Sequence, residues 1–273
     1  AALFGHTASY FAVGQVRAAM YFTTFPYALT QEELSGWIRY GGGQALWDEA
    51  YAPFGVKPFY AGGSGTQAGG WFKKRIESLD DMQGLRMRIA GLGGDVMKRI
   101  GVTTVLTPPS EIYMSLQTGV VDAAEFVGPW NDQALGLATV APYYYMPAFH
   151  EPGAALELIV NRDFYENLSP WLQTVVETAA TAAADATYAD FRFHNAKVLA
   201  AMRADGVEIA AFPPDVVEAL GAAAREAIEA YPGDDPMCRK IHGPYFEYVR
   251  ECAAYGAAME GVMYADRARV WGV

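Results

Sequence analysis

Two arginines and a glutamate lie where a small anion could be bound. Arg86 and Arg88 are two residues apart in a strand-like segment, so their side chains should share one face. Glu125 ends an apolar extended run, where a carboxylate needs a partner or a cation. A guanidinium binds a carboxylate through two parallel charge-assisted hydrogen bonds. These residue types predict an organic-anion site, with a solvated strand and an Arg88–Glu125 salt bridge as the structural alternatives.

A glycine-rich stretch from Gly62 to Gly70 contains Gln67 among small residues and is followed by Trp71. Small neighbours allow a ligand or an ion to approach the backbone closely, and an amide oxygen is a suitable ligand for a hard cation. The stretch lacks both the Gly-Lys-Ser/Thr ending of a P-loop and the Gly-x-Gly-x-x-Gly spacing of a dinucleotide turn. We interpret it as a cation-binding or ligand-binding loop, with an ordinary surface loop as the alternative.

Glu151 follows an aromatic, proline-bearing stretch and is a second acidic side chain that could reach a cleft. No histidine lies in a His-Glu-x-x-His helix or near a Gly-x-Ser-x-Gly nucleophile, and the sequence predicts His194 in a helix and His242 in a loop. We therefore predict no catalytic residues. A cytosolic lyase or hydrolase that uses Glu125 and Glu151 as an acid and base pair is the alternative from another functional class.

These residues need an α/β framework to bring them together. Strand-like runs at Leu85–Ala90, 102–107 and 120–127 alternate with helices predicted over 95–100 and from Ser110-Glu111 to about Gln117. Strands and helices that alternate at this spacing are typical of a parallel sheet with right-handed crossovers. Ligands of such sheets bind at the carboxyl ends of the strands, which is where Arg88 and Glu125 fall.

Longer helices dominate the second half of the chain. Ser169-Pro170 provides an N-cap and a first-turn proline for a helix that should extend to Arg203 and end at Gly206. A short strand at 207–209 and a helix from Pro213-Pro214 to about Pro232 follow, and a final helix is predicted from Pro244 to Arg267. The glycine run at 62–65 and a strand at 155–160 are the predicted crossings between two lobes, which would permit closure around a ligand.

Composition excludes several classes of protein. The chain has 273 residues, of which 52% are hydrophobic and 19% charged, and its formal net charge is −11. This length and apolar content suit a compact body of two lobes, and the acidic balance makes nucleic acid an unsuitable partner. Cys238 and Cys252 are 14 residues apart in a predicted helical segment, too far for a bridge within one helix, so we interpret both as free thiols.

Three segments resemble the extracytoplasmic solute-binding proteins of TRAP transporters, most closely the branch that binds 2-oxo acids such as pyruvate. The segments are QAGGWF at 67–72, SLDDMQGLRMRI at 78–89 and EIYMSLQTGVVDAAE at 111–125. The resemblance extends from about His6 to the end of the chain. It implies a fold of two α/β lobes with hinge-crossing strands and a long connecting helix. Residues 1–65 and about 205–245 would form lobe I, 66–204 lobe II with the crossing segments, and 245–273 a C-terminal helix.

The resemblance also implies roles for individual residues. Arg88 matches the arginine that clamps the ligand carboxylate, and Gln67 and Glu125 match the side chains that hold a bridging Na⁺ or Ca²⁺ ion. Phe126 stands where the 2-oxo acid branch usually has Trp, whose backbone carbonyl also reaches the ion. Glu151 matches an acidic residue near the ligand. Tyr10 and Phe11 match residues of the first lobe that form the pocket walls.

The resemblance predicts a periplasmic protein without enzymatic activity that delivers a 2-oxo or 2-hydroxy monocarboxylate, such as pyruvate or lactate, to membrane permease subunits. The Phe126 ring is smaller than the usual Trp and leaves more room, so a larger or aromatic organic acid is the alternative ligand. A homodimer through the Ala-, Tyr- and Met-rich C-terminal helix is a further expectation, with packing inside one chain as its alternative.

The start of the sequence departs from the family pattern. Family members normally carry a strand, a helix and a second strand before the segment that matches His6 to Phe11, and this sequence starts almost at that point. Part of the sheet of lobe I would then be absent, either because the sequence is truncated or because this lobe is built differently. The sequence begins Ala1-Ala2-Leu3 without a leader, so any export signal has been removed or lies outside it.

Overall fold

The computed structural model describes residues 2–272 of the chain. The strands of this part are β1 (Phe4–Thr7), β2 (Val56–Gly63), β3 (Gly70–Phe72), β4 (Arg86–Arg88), β5 (Thr103–Val105), β6 (Ala123–Ala124), β7 (Tyr143–Tyr145), β8 (Ala155–Asn161) and β9 (Glu208–Ala210). The α-helices are α1 (Gln31–Tyr40), α2 (Gly43–Tyr51), α3 (Gly93–Arg99), α4 (Ile112–Gln117), α5 (Pro129–Ala134), α6 (Arg162–Glu166), α7 (Pro170–Ala204), α8 (Pro214–Ala230), α9 (Pro236–Ala258) and α10 (Glu260–Trp271). None of these helices combines the length and the apolar character that crossing a bilayer requires.

The strands form two sheets. The smaller has the order β1-β8-β2 and is antiparallel throughout. The larger has the order β5-β4-β6-β3-β7-β9, in which β4 pairs parallel with both β5 and β6. This confirms the predicted alternation of parallel strands and helices, because α3 and α4 connect the three parallel strands in sequence. The carboxyl ends of β4 and β6 therefore meet at one edge.

The chain crosses between the two sheets beside the predicted glycine run at 62–65 and again just before the predicted crossing strand at 155–160, which itself belongs to the smaller sheet as β8. It leaves the smaller sheet at the end of β2 and enters the larger at β3, and it returns between β7 and β8. Helix α7 packs along β2, a strand of the smaller sheet, and against α5, which follows β6 of the larger sheet. Its 35 residues span about 50 Å at 1.5 Å per residue. This is the two-lobe α/β fold expected from the sequence, with a long connecting helix.

The ends of α7 confirm the sequence signals that predicted them. The Ser169 side chain accepts a hydrogen bond from the backbone of Leu172, and Pro170 occupies the first turn, where its missing N–H is not needed. At the other end Gly206 adopts a positive φ of 85°, which costs glycine little.

The C-terminal helix differs from its prediction. Helix α9 begins at Pro236, eight residues before the expected Pro244, because Asp235 caps it by accepting a hydrogen bond from the backbone of Cys238. Pro244 lies inside the helix, so the prediction of a loop at His242 was wrong. The expected single helix is also interrupted at Met259, which separates α9 from α10. Both cysteines are free and lie on α9, as the sequence indicated.

The core is rich in stacked aromatic rings. Phe22 lies parallel to Trp47 with ring centroids 4.9 Å apart, and its cluster extends to α8 and α9. A second cluster centres on Trp71, which stacks on Tyr144 at 4.0 Å. These rings contribute large buried apolar area, and the second cluster forms the floor beneath the carboxyl ends of β4 and β6.

Candidate functional site

Arg88 lies at the carboxyl end of β4, in the middle of the parallel strands. Its side chain is buried, whereas Arg86 on the same strand is exposed and forms a salt bridge with Asp122 at 2.8 Å. The Arg88 side chain lines a cavity of about 630 Å³. The strand thus places one guanidinium in the cavity and the other at the surface.

Arg88 and Glu125 form a buried ion pair. Nη1 of Arg88 donates to Oε1 of Glu125 at 2.7 Å and to the Glu125 backbone carbonyl at 2.6 Å. Nε donates a longer bond, 3.3 Å, to the carbonyl of Thr107. Nη2 makes no hydrogen bond with any residue from 2 to 272 and is therefore the guanidinium nitrogen left for a ligand. The Arg88–Glu125 salt bridge, which was the structural alternative, is thus present, and within the described residues it leaves Nη2 of Arg88 without a hydrogen bond.

The second oxygen of Glu125 faces His150, a residue that the sequence did not single out for the site. Nε2 of His150 lies 3.6 Å from Oε2 of Glu125, an electrostatic contact longer than a hydrogen bond, and both side chains are fully enclosed. Burial opposes the charged form of each group, but their mutual attraction outweighs it: the pKa of Glu125 is lowered, helped by Arg88 and the Ala90 N–H, and that of His150 is raised. Glu125 is therefore an anion held by two cationic neighbours.

Glu151 and Tyr10 extend this buried polar cluster. Burial, opposed by the charge of His150, raises the pKa of the Glu151 carboxyl to about 7, and its Oε2 has no hydrogen-bond partner in the described structure. Burial and the nearby charges of Glu151 and Glu125 raise the pKa of Tyr10, so its hydroxyl remains protonated. The pKa values of the two buried carboxyl groups are thus shifted in opposite directions.

Hydrogen bonds of its backbone N–H and its side-chain amide nitrogen fix the position of Gln67. Its N–H donates to the carbonyl of Glu151 at 3.1 Å, and Nε2 donates to Oγ of Ser64 at 2.9 Å. Oε1 is buried and has no partner among the described residues. An unpaired buried amide oxygen is costly unless a ligand or an ion satisfies it, so this atom points to something bound here.

The structure brings all the predicted site residues together. Tyr10, Phe11, Gln67, Arg88 and Phe126 line the same cavity. Glu125 and Glu151 are buried behind its wall, at 1% and 2% exposure. A larger neighbouring cavity of about 760 Å³ shares the Tyr10 and Phe11 wall but contains none of the other predicted residues. We place the site in the smaller cavity because the unpaired polar atoms lie there.

Gln67 offers an unpaired oxygen of the kind that suits a hard cation. Among residues 2–272 no three His, Cys, Asp or Glu side chains are grouped as a metal site, so a set built only from such ligands is excluded there. A mixed set of an amide oxygen, a carboxylate and a backbone carbonyl remains, and Na⁺ and Ca²⁺ accept such ligands. The unpaired Oε1 of Gln67 and the anionic Glu125 fit this group.

Asp132 on α5 ties the two ligand-bearing segments together, and sequence reasoning missed it. Its Oδ1 accepts from the backbone N–H of Val127 at 3.1 Å, and Oδ2 accepts from Trp71 Nε1 and the Tyr144 hydroxyl, both at 2.9 Å. The Val127 carbonyl in turn accepts from the N–H of Ala68. Burial raises the pKa of Asp132 to about 6. This network fixes the chain on either side of Gln67 and Phe126.

The chain matches known proteins over most of its length. Residues 3–233 match the family model of the bacterial extracellular solute-binding proteins, family 7. A monocarboxylate 2-oxoacid-binding periplasmic protein of Nostoc sp. is 34% identical over 256 residues, which cover 94% of this chain and 70% of that protein.

Two solved structures of TRAP solute-binding proteins are also similar. One, from Bordetella bronchiseptica, is a mixed-occupancy dimer with calcium and picolinate at its active site. It is 31% identical to this chain and has a TM-score of 0.93. The match covers 98% of this chain and 81% of that one. The other, from Pseudoalteromonas atlantica, has bound sodium and pyruvate; it is 33% identical, has a TM-score of 0.90, and the match covers 96% and 80%.

Proposed function

The chain belongs to family 7 of the bacterial extracellular solute-binding proteins, and on that premise we propose that it captures a 2-oxo monocarboxylate in the periplasm and delivers it to TRAP permease subunits. Members of this family are substrate-binding subunits of transporters, so the chain is a TRAP solute-binding protein and not an enzyme. The lyase or hydrolase alternative is therefore wrong. The bound acid is released unchanged.

One observation carries the proposal: two unsatisfied polar groups of opposite kind line the same cavity. Among residues 2–272, Nη2 of Arg88 is a cationic donor without a partner and Oε1 of Gln67 is a buried acceptor without one. A 2-oxo acid carries a carboxylate and an adjacent carbonyl oxygen. The carboxylate would bind Arg88, and a cation beside Gln67 would let both ligand oxygens be held.

The ion would be bound by Oε1 of Gln67, by the carboxylate of Glu125 and by the backbone carbonyl of Phe126. When bound, it supplies a positive charge that attracts the two oxygens of the acid. The side chains position and shield the acid. Arg88 orients its carboxylate, and Tyr10 and Phe11 limit access of water to the bound acid. Charge-assisted hydrogen bonds contribute about 1.5–3 kcal/mol each, so a few of them reach the roughly −8 kcal/mol of a micromolar site.

Calorimetric titration of pyruvate into the full chain tests the clamp. Arg88→Ala should weaken binding by about 100-fold or more, because it removes the fixed cation opposite the carboxylate. Arg86→Ala is the matched control, since it removes an exposed arginine from the same strand and should leave affinity unchanged. Equal affinity of the two variants would overturn the assignment of Arg88.

Gln67→Leu tests the ion site separately, because Arg88→Ala also leaves Glu125 without its ion-pair partner and lowers stability. Gln67→Leu removes the Oε1 atom, which has no partner in the described structure, and one side-chain hydrogen bond, from Nε2 to Ser64 Oγ, so the fold should persist. We expect the variant to lose the dependence of pyruvate affinity on sodium or calcium. Dependence equal to that of the wild-type chain would remove Gln67 from the ion site.

We also propose that α10 packs against a second copy of the chain. No residue of this helix is buried, and Met259, Val262, Met263 and Tyr264 expose apolar surface around its first turns. Exposed apolar surface of this kind commonly marks an interface. The division into lobe I (1–65 and about 205–245), lobe II (66–204) and a C-terminal helix (245–273) stays a prediction.

A further inference from the structure

We propose that the cavity selects 2-oxo acids with a branched or aromatic side chain over pyruvate, and that Phe191 and Leu106 determine this preference. The inference rests on the proposed function, because it takes the Arg88 clamp as the anchor of the carboxylate. It concerns the side chain of the acid, which Arg88 does not contact.

Apolar side chains from separate parts of the chain form the walls beyond the polar end of the cavity. Phe191 comes from α7, Phe126 from the segment after β6, and Leu156 from β8. Leu106, after β5, and Phe11, near the N-terminus, are 62% and 64% exposed. Large apolar side chains in a concave site are costly to leave in water, and an apolar ligand group that covers them is favourable.

The size of the cavity also favours a larger ligand. Its volume of about 630 Å³ corresponds to roughly 20 water molecules at about 30 Å³ each. An acid as small as pyruvate would occupy only the polar end, beside Gln67 and Arg88. The apolar walls would then stay wet, whereas a branched or aromatic group would displace that water.

The charge pattern disfavours a second charged group on the ligand. Arg88 is the one charged side chain that lines the cavity within the described part of the chain. A dicarboxylate would bring its second charge against Phe, Leu and Pro side chains, where a charge loses hydration without gaining a partner. The chemistry that fits is therefore one carboxylate, one adjacent oxygen and an apolar tail.

Phe191 can be tested against a closely matched neighbour. Phe193 lies on the same helix, is 57% exposed and does not line the cavity. Calorimetric titrations with pyruvate, 4-methyl-2-oxopentanoate and phenylpyruvate should be run in the presence of calcium or sodium on the wild-type chain, Phe191→Ala and Phe193→Ala. Leu106→Ala serves as a second variant that alters the opposite wall at an exposed position and should fold normally.

In the wild-type chain we expect at least one of the larger acids to bind about tenfold or more tightly than pyruvate. Phe191→Ala and Leu106→Ala should bring the ratio of the two affinities towards one, and Phe193→Ala should leave it unchanged. Pyruvate binding that equals or exceeds that of both larger acids would overturn the inference while leaving the proposed function intact. Failure of all three acids to bind would overturn the inference and the proposed function together.

Discussion

At the scale of single residues, the ion pair of Arg88 and Glu125 depends on a third group, His150. The histidine ring lies 3.6 Å from the Glu125 oxygen that Arg88 does not bind, and it is fully enclosed. It therefore helps to fix the orientation of the carboxylate without lining the cavity. Groups in this position commonly change metal affinity when they are replaced.

We predict that His150→Asn weakens ion-dependent binding of the acid by about tenfold, because Glu125 loses the group that faces its second oxygen. Calorimetric titration of pyruvate at several calcium concentrations measures this effect. His194→Asn is the control, since His194 is partly exposed on α7 and forms its contact with Asp190. An unchanged calcium dependence in His150→Asn would show that Glu125 is oriented without it.

The residue scale also shows what could be read from the sequence. The placement of Arg88, Glu125 and Gln67 at one site was predictable from the motifs that resemble the family, and their roles in anion and cation binding stay predictions. Asp132 and His150 were not predictable, because their roles come from partners that are distant in sequence or on different elements. The bonds of Asp132 to Trp71 and Tyr144 depend on sheet register, which no local pattern specifies.

At the scale of elements, strand β8 carries a buried carboxyl group at its centre. Oε2 of Glu157 accepts a hydrogen bond from Ser9 Oγ at 2.8 Å, and Oε1 accepts one from the Tyr51 hydroxyl at 3.3 Å. The group thus links β8 to the segment before Tyr10 and to α2. Burial raises its pKa to about 7, and the hydrogen bonds from Ser9 and Tyr51 offset only part of this rise.

The raised pKa of Glu157 predicts how the free energy of unfolding changes with pH. Its pKa is about 7 in the folded chain and 4.5 as a free group, so the folded state retains a proton that the unfolded state has lost between these values. The free energy of unfolding should therefore fall as pH rises from about 4.5 to about 7, by about 3 kcal/mol at 1.36 kcal/mol per pKa unit. Urea titrations should show that Glu157→Gln loses this part of the dependence. An identical pH dependence in the variant would contradict the raised pKa.

Elements were predictable from sequence where their end signals were local. The serine and proline that begin α7 and the glycine beyond its end specify both boundaries within one turn. The start of α9 was missed because Pro244 was taken as a first-turn residue, although the Asp235 cap and Pro236 provide the same signal earlier. The break at Met259 lies between Gly256 and Gly261, which lower helix propensity, but neither residue by itself predicts an interruption.

At the scale of the whole molecule, the exposed helix α10 predicts self-association. The wild-type chain should sediment as a dimer at micromolar concentration, because the described part of the chain buries no residue of this helix. Val262→Asp should shift the equilibrium to the monomer by placing an unpaired charge in the interface. Arg267→Ala is a control on the same helix. A monomeric wild-type chain at all concentrations would contradict the prediction.

The two-lobe arrangement was predictable from the alternation of strands and helices together with the family resemblance, but the pairing of strands was not. Strand β9 joins the larger sheet beside β7, more than 60 residues earlier in the chain, in a register that no pattern in the sequence encodes. Burial of the polar cluster likewise arises only when β4, β6 and the segment before β8 meet. The site is a property of the assembled molecule.

The central claim is that a guanidinium and a bound cation hold one small acid between the lobes. A crystal structure of the full chain grown with pyruvate and calcium tests it most directly. We predict the carboxylate of pyruvate at the guanidinium of Arg88, with a calcium ion bound by Oε1 of Gln67, Glu125 and the carbonyl of Phe126. Pyruvate bound away from Arg88, or bound there with no cation beside Gln67, would contradict the account.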